Sequence, residues 1–271
     1  SPSSSDRIPD YSIIDTSISI IPVGSDEEGL ELPIPWIIRS SRGLTYPDGQ
    51  IRIPSIVNAG PNEGDLLIVG EEELAEFPDN AREVPGIVLD LQSLPAMNDA
   101  EIEAILVSLS SHLSSSSLIL LRDGADRVEG LFRLVVDLDL DGAIVSVATP
   151  GGGRAAAALP RIGLASRAMG LDTQGRIIGI ELEKQPSAED LIIVRASGCS
   201  FVVGPIDEGN KVSDITETII PEIVGIMKEA GLSNFHNVGR RILRAKDMET
   251  AAISGLRLIG FERPLPMWLG N

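Results

Sequence analysis

Short apolar runs recur along the chain, and each ends in a turn or leads into a helical pattern. The runs are continuously apolar instead of alternating, which is typical of parallel strands covered on both faces. They predict seven buried strands, at residues 34–40, 65–70, 86–91, 117–123, 142–148, 177–183 and 199–204. Residues 51–57 form a weaker eighth run, because Pro54 disfavours a central strand.

Helical patterns lie between these runs. Residues 98–113 start at an Asn98 or Asp99 cap and place apolar residues at helical spacing. Ser187 is an N-cap residue, with Asp190 near the capping-box position. Seven or eight repeated strand–helix units predict a (β/α)8 TIM-type barrel, irregular or trimmed near residues 51–57. The alternative is an open, doubly wound sheet.

The two ends of the chain differ from the middle. Residues 1–10 are polar and rich in Pro and Ser, which indicates a flexible N-terminal arm. The barrel is expected over residues 11–211. Residues 212–271 are expected to form a C-terminal extension that begins with a helix capped at Ser213 and packs on the barrel or on a second subunit, because its end is too apolar to leave in water.

Charge and cysteine content exclude several classes of function. With 22 basic and 40 acidic residues the net charge is −18, which argues against nucleic acid and membrane partners. Cys199 is the only cysteine, so the chain holds no iron–sulfur cluster, and its two histidines exclude a His-rich metal site. We see neither a bilayer-spanning run nor a signal peptide, so we expect a cytoplasmic protein with a protein partner or in a homo-oligomer.

The strongest candidate site is the glycine turn formed by Gly151, Gly152 and Gly153, followed by Arg154. A strand, a glycine turn and a helix N-terminus form a backbone that can hold a phosphate. Two other interpretations remain: a sharp turn only, or the dinucleotide fingerprint G-x-G-x-x-A. The fingerprint is weak here, because it lies in mid-chain and no acidic residue closes the next strand at the usual distance.

Other polar residues stand where predicted strands end. Ser40 and Ser41 belong to a loop, residues 39–43, that is either an anion-binding loop or a solvated turn. Arg122 and Asp123 favour a structural ion pair. The carboxylates Glu181 and Glu183, with Lys184, suggest either acid–base chemistry or a solvated rim. Cys199 is predicted to be a core residue, and His112 is predicted to lie at the end of a helix.

The order of segments resembles the FMN-binding central domain of glutamate synthase, of the archaeal and stand-alone type. The resemblance spans most of the chain and is carried by residues 15–40, 90–109 and 139–160, and most specifically by residues 222–261, which read EIVGIMKEAGLSNFHNVGRRILRAKDMETAAISGLRLIGF. It implies a (β/α)8 barrel with FMN at its mouth and, near Arg122, the place of a flavin-contacting lysine. The cofactor-binding candidates are Gly151, Gly152, Gly153, Arg154, Ser40, Ser41 and Gly204.

The departures from that family are also specific. SSRGLTYPDG, at residues 40–49, replaces a glycine–methionine–serine–phenylalanine–glycine loop, and Lys184 and Gln185 stand where two glycines let a phosphate approach. The first hypothesis is therefore a divergent, non-catalytic barrel that acts as a binding or scaffold subunit and has lost its FMN. The alternative is an FMN-dependent oxidoreductase that receives electrons from a partner protein. The sequence assigns no catalytic residue and no metal site.

Overall fold

The computed structural model describes residues 18–20, 35–46, 53–75, 77, 84–148 and 155–260. The predicted N-terminal arm and the apolar residues 261–271 lie outside these described residues. The same is true of the glycine turn with Arg154.

The described strands are numbered β1 to β10 in chain order, and β2 to β9 form a closed barrel of parallel strands. The barrel strands are β2 (Trp36–Arg42), β3 (Ser55–Ala59), β4 (Leu66–Val69), β5 (Gly86–Asp90), β6 (Leu118–Gly124), β7 (Gly142–Ser146), β8 (Ile177–Glu181) and β9 (Phe201–Gly204). Pairing between β2 and β9 closes the ring, with Trp36 opposite Val202. The predicted (β/α)8 barrel is therefore confirmed, and the open-sheet alternative is wrong.

The helices are α1 (Glu71–Ala75), α2 (Asp99–Ser110), α3 (Val128–Asp137), α4 (Ala155–Met169), α5 (Ala188–Ala196), α6 (Val212–Glu229) and α7 (Met248–Ser254). Both predicted caps are present: Asn98 forms a capping box with Glu101, and Ser187 forms one with Asp190. These reciprocal bonds satisfy backbone N–H groups that a helix start leaves without partners.

The barrel is trimmed on the side of its first strands, near the predicted place. Among the described residues, 43–46 and 60–65 contain no helix, although they follow β2 and β3. The Asp65 carboxylate holds the short β3–β4 connection, because it accepts the backbone N–H groups of Ser55 at 3.0 Å and Asn62 at 2.9 Å. Pro54 lies just before β3, so the strand does not need the N–H that proline lacks.

The C-terminal part of the chain first adds a helix to the barrel and then forms elements outside it. Helix α6 follows the eighth barrel strand and packs against α5, which is the position of the barrel's eighth helix. It begins at Val212, one residue before the expected cap Ser213. Beyond it, β10 (Leu243–Ala245) pairs antiparallel with β1 (Ile18–Ile20), and α7 packs on α4. Residues 18–20 and 243–260 thus add a small layer outside the barrel.

Two apolar cores result from the alternation of side chains along each strand. One lies between the strands and the helices. The other fills the barrel, and its members are Ile56, Leu66, Ile68, Val88, Leu120, Ile144, Phe201 and Val203. Gly179 makes room for the largest of them, because a Cβ there would lie 2.3 Å from the Phe201 ring.

Candidate functional site

A ring of polar side chains closes the barrel at the C-terminal ends of its strands, which is the end where barrel enzymes carry their sites. Six strands place a polar side chain at an inward-facing position near their C-terminal ends, and the residue two positions earlier is apolar or glycine. In β2 and β6 one further inward-facing position follows, Ser41 and Gly124. The six polar residues are Arg39, Asn58, Asp90, Arg122, Ser146 and Glu181. We call this ring the mouth.

Arg122 of β6 lies at the centre of the mouth. Its Nε donates to Glu181 Oε2 at 2.6 Å and its Nη1 to Asp90 Oδ1 at 2.7 Å. Nη1 also donates to the Gln92 amide oxygen, and Nη2 to the Ser146 hydroxyl, both at 3.1 Å. Each guanidinium nitrogen thus has a partner from another strand end, and Arg122 is only 9% exposed.

Arg39 of β2 extends the same network toward the trimmed side of the barrel. It donates to the Asn58 amide oxygen at 3.0 Å, and its Nε lies 3.8 Å from Glu181. Asn58 donates in turn to Glu73 of α1 at 2.8 Å, and Glu73 also accepts the N–H of Gly70 at 3.0 Å. The chain of contacts therefore links α1 to the centre of the mouth.

Burial and charge compete at these groups. Burial alone would lower the pKa of Arg122, but Glu181 and Asp90 outweigh it and the pKa is raised. Burial lowers the pKa of Arg39, and the neighbouring Arg122 adds to that effect. Burial alone would raise the pKa of Glu73, but hydrogen bonds from Asn58 and from backbone N–H groups outweigh it, so this pKa is lowered. The surroundings of Arg122 and Glu73 therefore favour the charged form of each group.

The loops after β8 and β9 contact each other beside the mouth. The Gln185 side-chain oxygen accepts the N–H of Asp207 at 2.9 Å and lies 3.3 Å from the Asn210 amide nitrogen. Gly204 ends β9, and a Cβ there would lie 2.8 Å from Pro186. Pro186 of the protein's own loop therefore occupies the space that the absence of a side chain at Gly204 leaves open. In barrel enzymes these two loops frequently hold a phosphate.

The other sequence candidates are placed as follows. Ser40 donates to the carbonyl of Arg42 at 2.8 Å, Ser41 is exposed at the end of β2, and the Gly204 carbonyl accepts from Trp36 Nε1 at 3.2 Å. Their roles as cofactor contacts stay predictions. So does the role of the glycine turn and Arg154, which lie outside the described residues.

One expectation about strand ends needs correction. Glu181 is not part of a solvated rim: it is 4% exposed and paired with Arg122, whereas Glu183 and Lys184 are exposed. Arg122 and Asp123 form ion pairs as expected, each with partners of its own, because neighbours in a strand point to opposite faces. Asp123 lies 3.4 Å from Arg127.

Cys199 and His112 lie where the sequence predicts them. Cys199 is buried, and burial raises the pKa of its thiol to about 12. His112 follows α2, with its Nδ1 3.0 Å from the Ser108 carbonyl and its ring edge-to-face with Phe77. Within the described ranges, no group of three or more His, Cys, Asp or Glu side chains could hold a metal ion. None of the described helices is both long and apolar enough to cross a membrane.

Sequence reasoning did not find Asn58, Asp90 and Ser146. A signal for them exists: in β3, β5 and β7 they follow an inward apolar residue at a spacing of two, so each is the last inward-facing position of its strand. The continuously apolar runs conceal this period of two, because both faces of each strand are buried.

Comparison with known proteins shows the fold. No protein-family model and no curated protein matches the chain in sequence. Among solved structures, the chain is similar to the G81A mutant of an active chimera of (S)-mandelate dehydrogenase, with 13% identity, a TM-score of 0.55, and 84% of this chain and 87% of that chain covered. It is also similar to inosine 5′-monophosphate dehydrogenase from Legionella pneumophila, with 11% identity, a TM-score of 0.56, and 89% and 100% covered.

Proposed function

We propose that this chain is a barrel-type binding subunit that has the fold of these dehydrogenases but no flavin redox centre of its own. The observation that carries the proposal is that the mouth is filled by the protein's own ion pairs. Every nitrogen of Arg122 already donates to a partner. As a scaffold subunit, it acts with a protein partner or as a homo-oligomer, so its mass in solution should exceed that of one chain.

The described residues do not fit FMN. A flavin needs donors and positive charge at the edge of its ring and a cradle for its phosphate. The mouth carries Arg39 and Arg122 against Asp90 and Glu181, which is a net charge of +2 − 2 = 0, and Glu73 of α1 adds one negative charge behind Asn58. Beside the mouth, Pro186 occupies the space next to Gly204. Among the described residues, a flavin would therefore meet charges that already pair with each other, without a net positive charge, and a loop that packs against Gly204.

A titration tests the proposal directly. The purified chain is titrated with FMN and with inorganic phosphate, and binding is followed by flavin fluorescence and by calorimetry. We expect no binding of either ligand at millimolar concentration. A yellow protein with bound FMN that dithionite reduces would overturn the proposal.

A double variant should gain the phosphate binding that the wild type lacks. In Lys184→Gly with Gln185→Gly, the two glycines of the resembled family are restored and the bond from Gln185 to residue 207 is lost. We expect this variant to bind inorganic phosphate more tightly than the wild type by about tenfold, since freed backbone N–H groups can converge on an anion. The matched control is Gln174→Gly, in an exposed turn before β8 at the other end of the barrel, which should change nothing.

A second candidate function is an FMN-dependent oxidoreductase, related to glutamate synthase, that receives electrons from a partner protein. The observation in its favour is the pair of guanidinium groups, Arg39 and Arg122, held at the barrel mouth near the place of the family's flavin-contacting lysine. It predicts stoichiometric FMN binding by the wild type, where the binding-subunit proposal predicts none.

A further inference from the structure

A cavity of about 330 Å³ lies beside the mouth, on the outer side of β6. One wall comes from the segment after β5 and from the first turn of α2, and it is apolar apart from Gln92: Leu91, Leu94, Pro95, Ala96, Met97 and Ile102. The other wall comes from the end of β6 and the residues after it, and it carries charge: Asp123, Asp126 and Arg127. We call this cavity the loop pocket. A cavity of this size and mixed lining is typical of small-molecule sites.

Asp123 is the buried charge of the loop pocket. It is 3% exposed, and its described contacts are the N–H of Gly124 at 2.8 Å and the guanidinium of Arg127 at 3.4 Å. The Arg127 side chain is 59% exposed, so solvent weakens this pair. Burial raises the pKa of the Asp123 carboxyl, and repulsion from Asp126 and Asp90 adds to the effect. The carboxylate is thus only partly compensated.

Gly124 lets a second carboxylate, that of Asp126, lie against the end of β6. A Cβ at this position would lie 2.6 Å from Asp126 Oδ1 and 2.9 Å from the Gln92 amide nitrogen. Only glycine allows both side chains to lie against the end of β6. The polar end of the loop pocket is therefore built from two carboxylates and one guanidinium, a net charge of 1 − 2 = −1.

We propose that the loop pocket binds a small primary amine with an apolar body. The ammonium group binds at the end of the cavity that Asp123 and Asp126 line, and the body packs against Leu94, Met97 and Ile102. An anion would be repelled by the two carboxylates, and a neutral apolar molecule would desolvate Asp123 without compensating its charge. An ammonium group is attracted by the carboxylates and compensates their charge, because it supplies three hydrogen-bond donors and one positive charge. The loop pocket shares Gln92 with the network around Arg122, but its charged and apolar groups are other residues, so this proposal holds whether or not the mouth takes a flavin.

The probe is isoamylamine, with isoamyl alcohol as its neutral isostere, titrated into the full chain without FMN and followed by calorimetry. We expect the amine to bind and the alcohol to bind at least about tenfold more weakly, since a hydrogen bond to a charged group contributes roughly that factor. Asp123→Asn keeps an oxygen for the Gly124 N–H but removes the charge, and it should weaken amine binding by about tenfold. Met97→Trp keeps the charge but fills the cavity, and it should abolish binding even where Asp123→Asn fails to fold.

The matched control is Asp137→Asn on the exposed face of α3, which should bind the amine as the wild type does. Three results would overturn the proposal: no amine binding at millimolar concentration, equal binding of amine and alcohol, or binding that neither Asp123→Asn nor Met97→Trp reduces. None of these results bears on the mouth, because the titration contains no flavin and leaves Arg122 and its partners intact.

Discussion

Arg122 and Asp123 are neighbours in β6, yet they lie in opposite electrostatic environments. Arg122 points into the barrel, where two carboxylates, an amide and a hydroxyl use all three of its nitrogens. Asp123 points outward, where an exposed guanidinium at 3.4 Å is its only described counter-charge. Both charges are buried, so burial alone does not indicate function. The difference is compensation: a saturated charge holds the structure together, and a partly compensated one is available to a ligand.

The largest change in stability is expected when the fully paired residue, Arg122, is replaced. Arg122→Met leaves Glu181 and Asp90 facing each other without a positive charge between them. It should lower the free energy of unfolding by about 3–5 kcal/mol, because a buried ion pair that loses one partner leaves an uncompensated charge. Urea denaturation at neutral pH measures the loss.

The control for this loss removes the opposing charge as well. Arg122→Met with Glu181→Met places apolar side chains at both inward positions and should recover much of the stability. A single variant as stable as the wild type would contradict the view that the mouth is a structural network.

The other side of the comparison predicts a change of opposite sign. Asp123→Asn should raise the free energy of unfolding at neutral pH by at most about 1 kcal/mol, since it removes a carboxylate that burial penalises. The pKa of Asp123 is raised in the folded state, so this carboxyl binds its proton more readily there than in the unfolded chain. The penalty is therefore absent below the ordinary pKa of 3.8 and develops as pH rises through the raised value.

Denaturation across the acidic range checks the sign. The stability difference between Asp123→Asn and the wild type should shrink as pH falls and should disappear below the ordinary pKa of the carboxyl. A difference that is independent of pH would mean that the substitution acts through packing and not through charge.

The smallest effect is expected at an ion pair that is neither buried nor saturated. Arg133 of α3 lies 3.1 Å from Asp99 of α2, with both side chains about 60% exposed. Arg133→Ala should cost less than about 1 kcal/mol, because solvent screens such pairs. Urea denaturation at low and high salt measures it, and a loss as large as that of Arg122→Met would remove the basis for ranking these charges by burial.

Much of the fold could be predicted from local patterns. The eight barrel strands, the caps at Asn98 and Ser187, and the trimmed region near Pro54 all follow from properties of neighbouring residues: apolar runs, cap spacing and the missing N–H of proline. The buried, inert Cys199 follows from its apolar surroundings in the sequence. The site was harder to predict from sequence. Glu181 was expected on a solvated rim because the charged residues that follow it, Glu183 and Lys184, are exposed.

The sequence by itself determined where strands and helices form, how they alternate, and that β6 ends in two adjacent charges. Only the tertiary structure decided which charges meet. Glu181 lies 59 residues from Arg122 along the chain, and Asp90 lies 32 residues away on the other side. Closure of the barrel brings their strand ends around one point, and the pleat turns Arg122 toward that point and Asp123 away from it. Local sequence carries the period of each strand, but the identity of its partners across the barrel depends on the register of all eight.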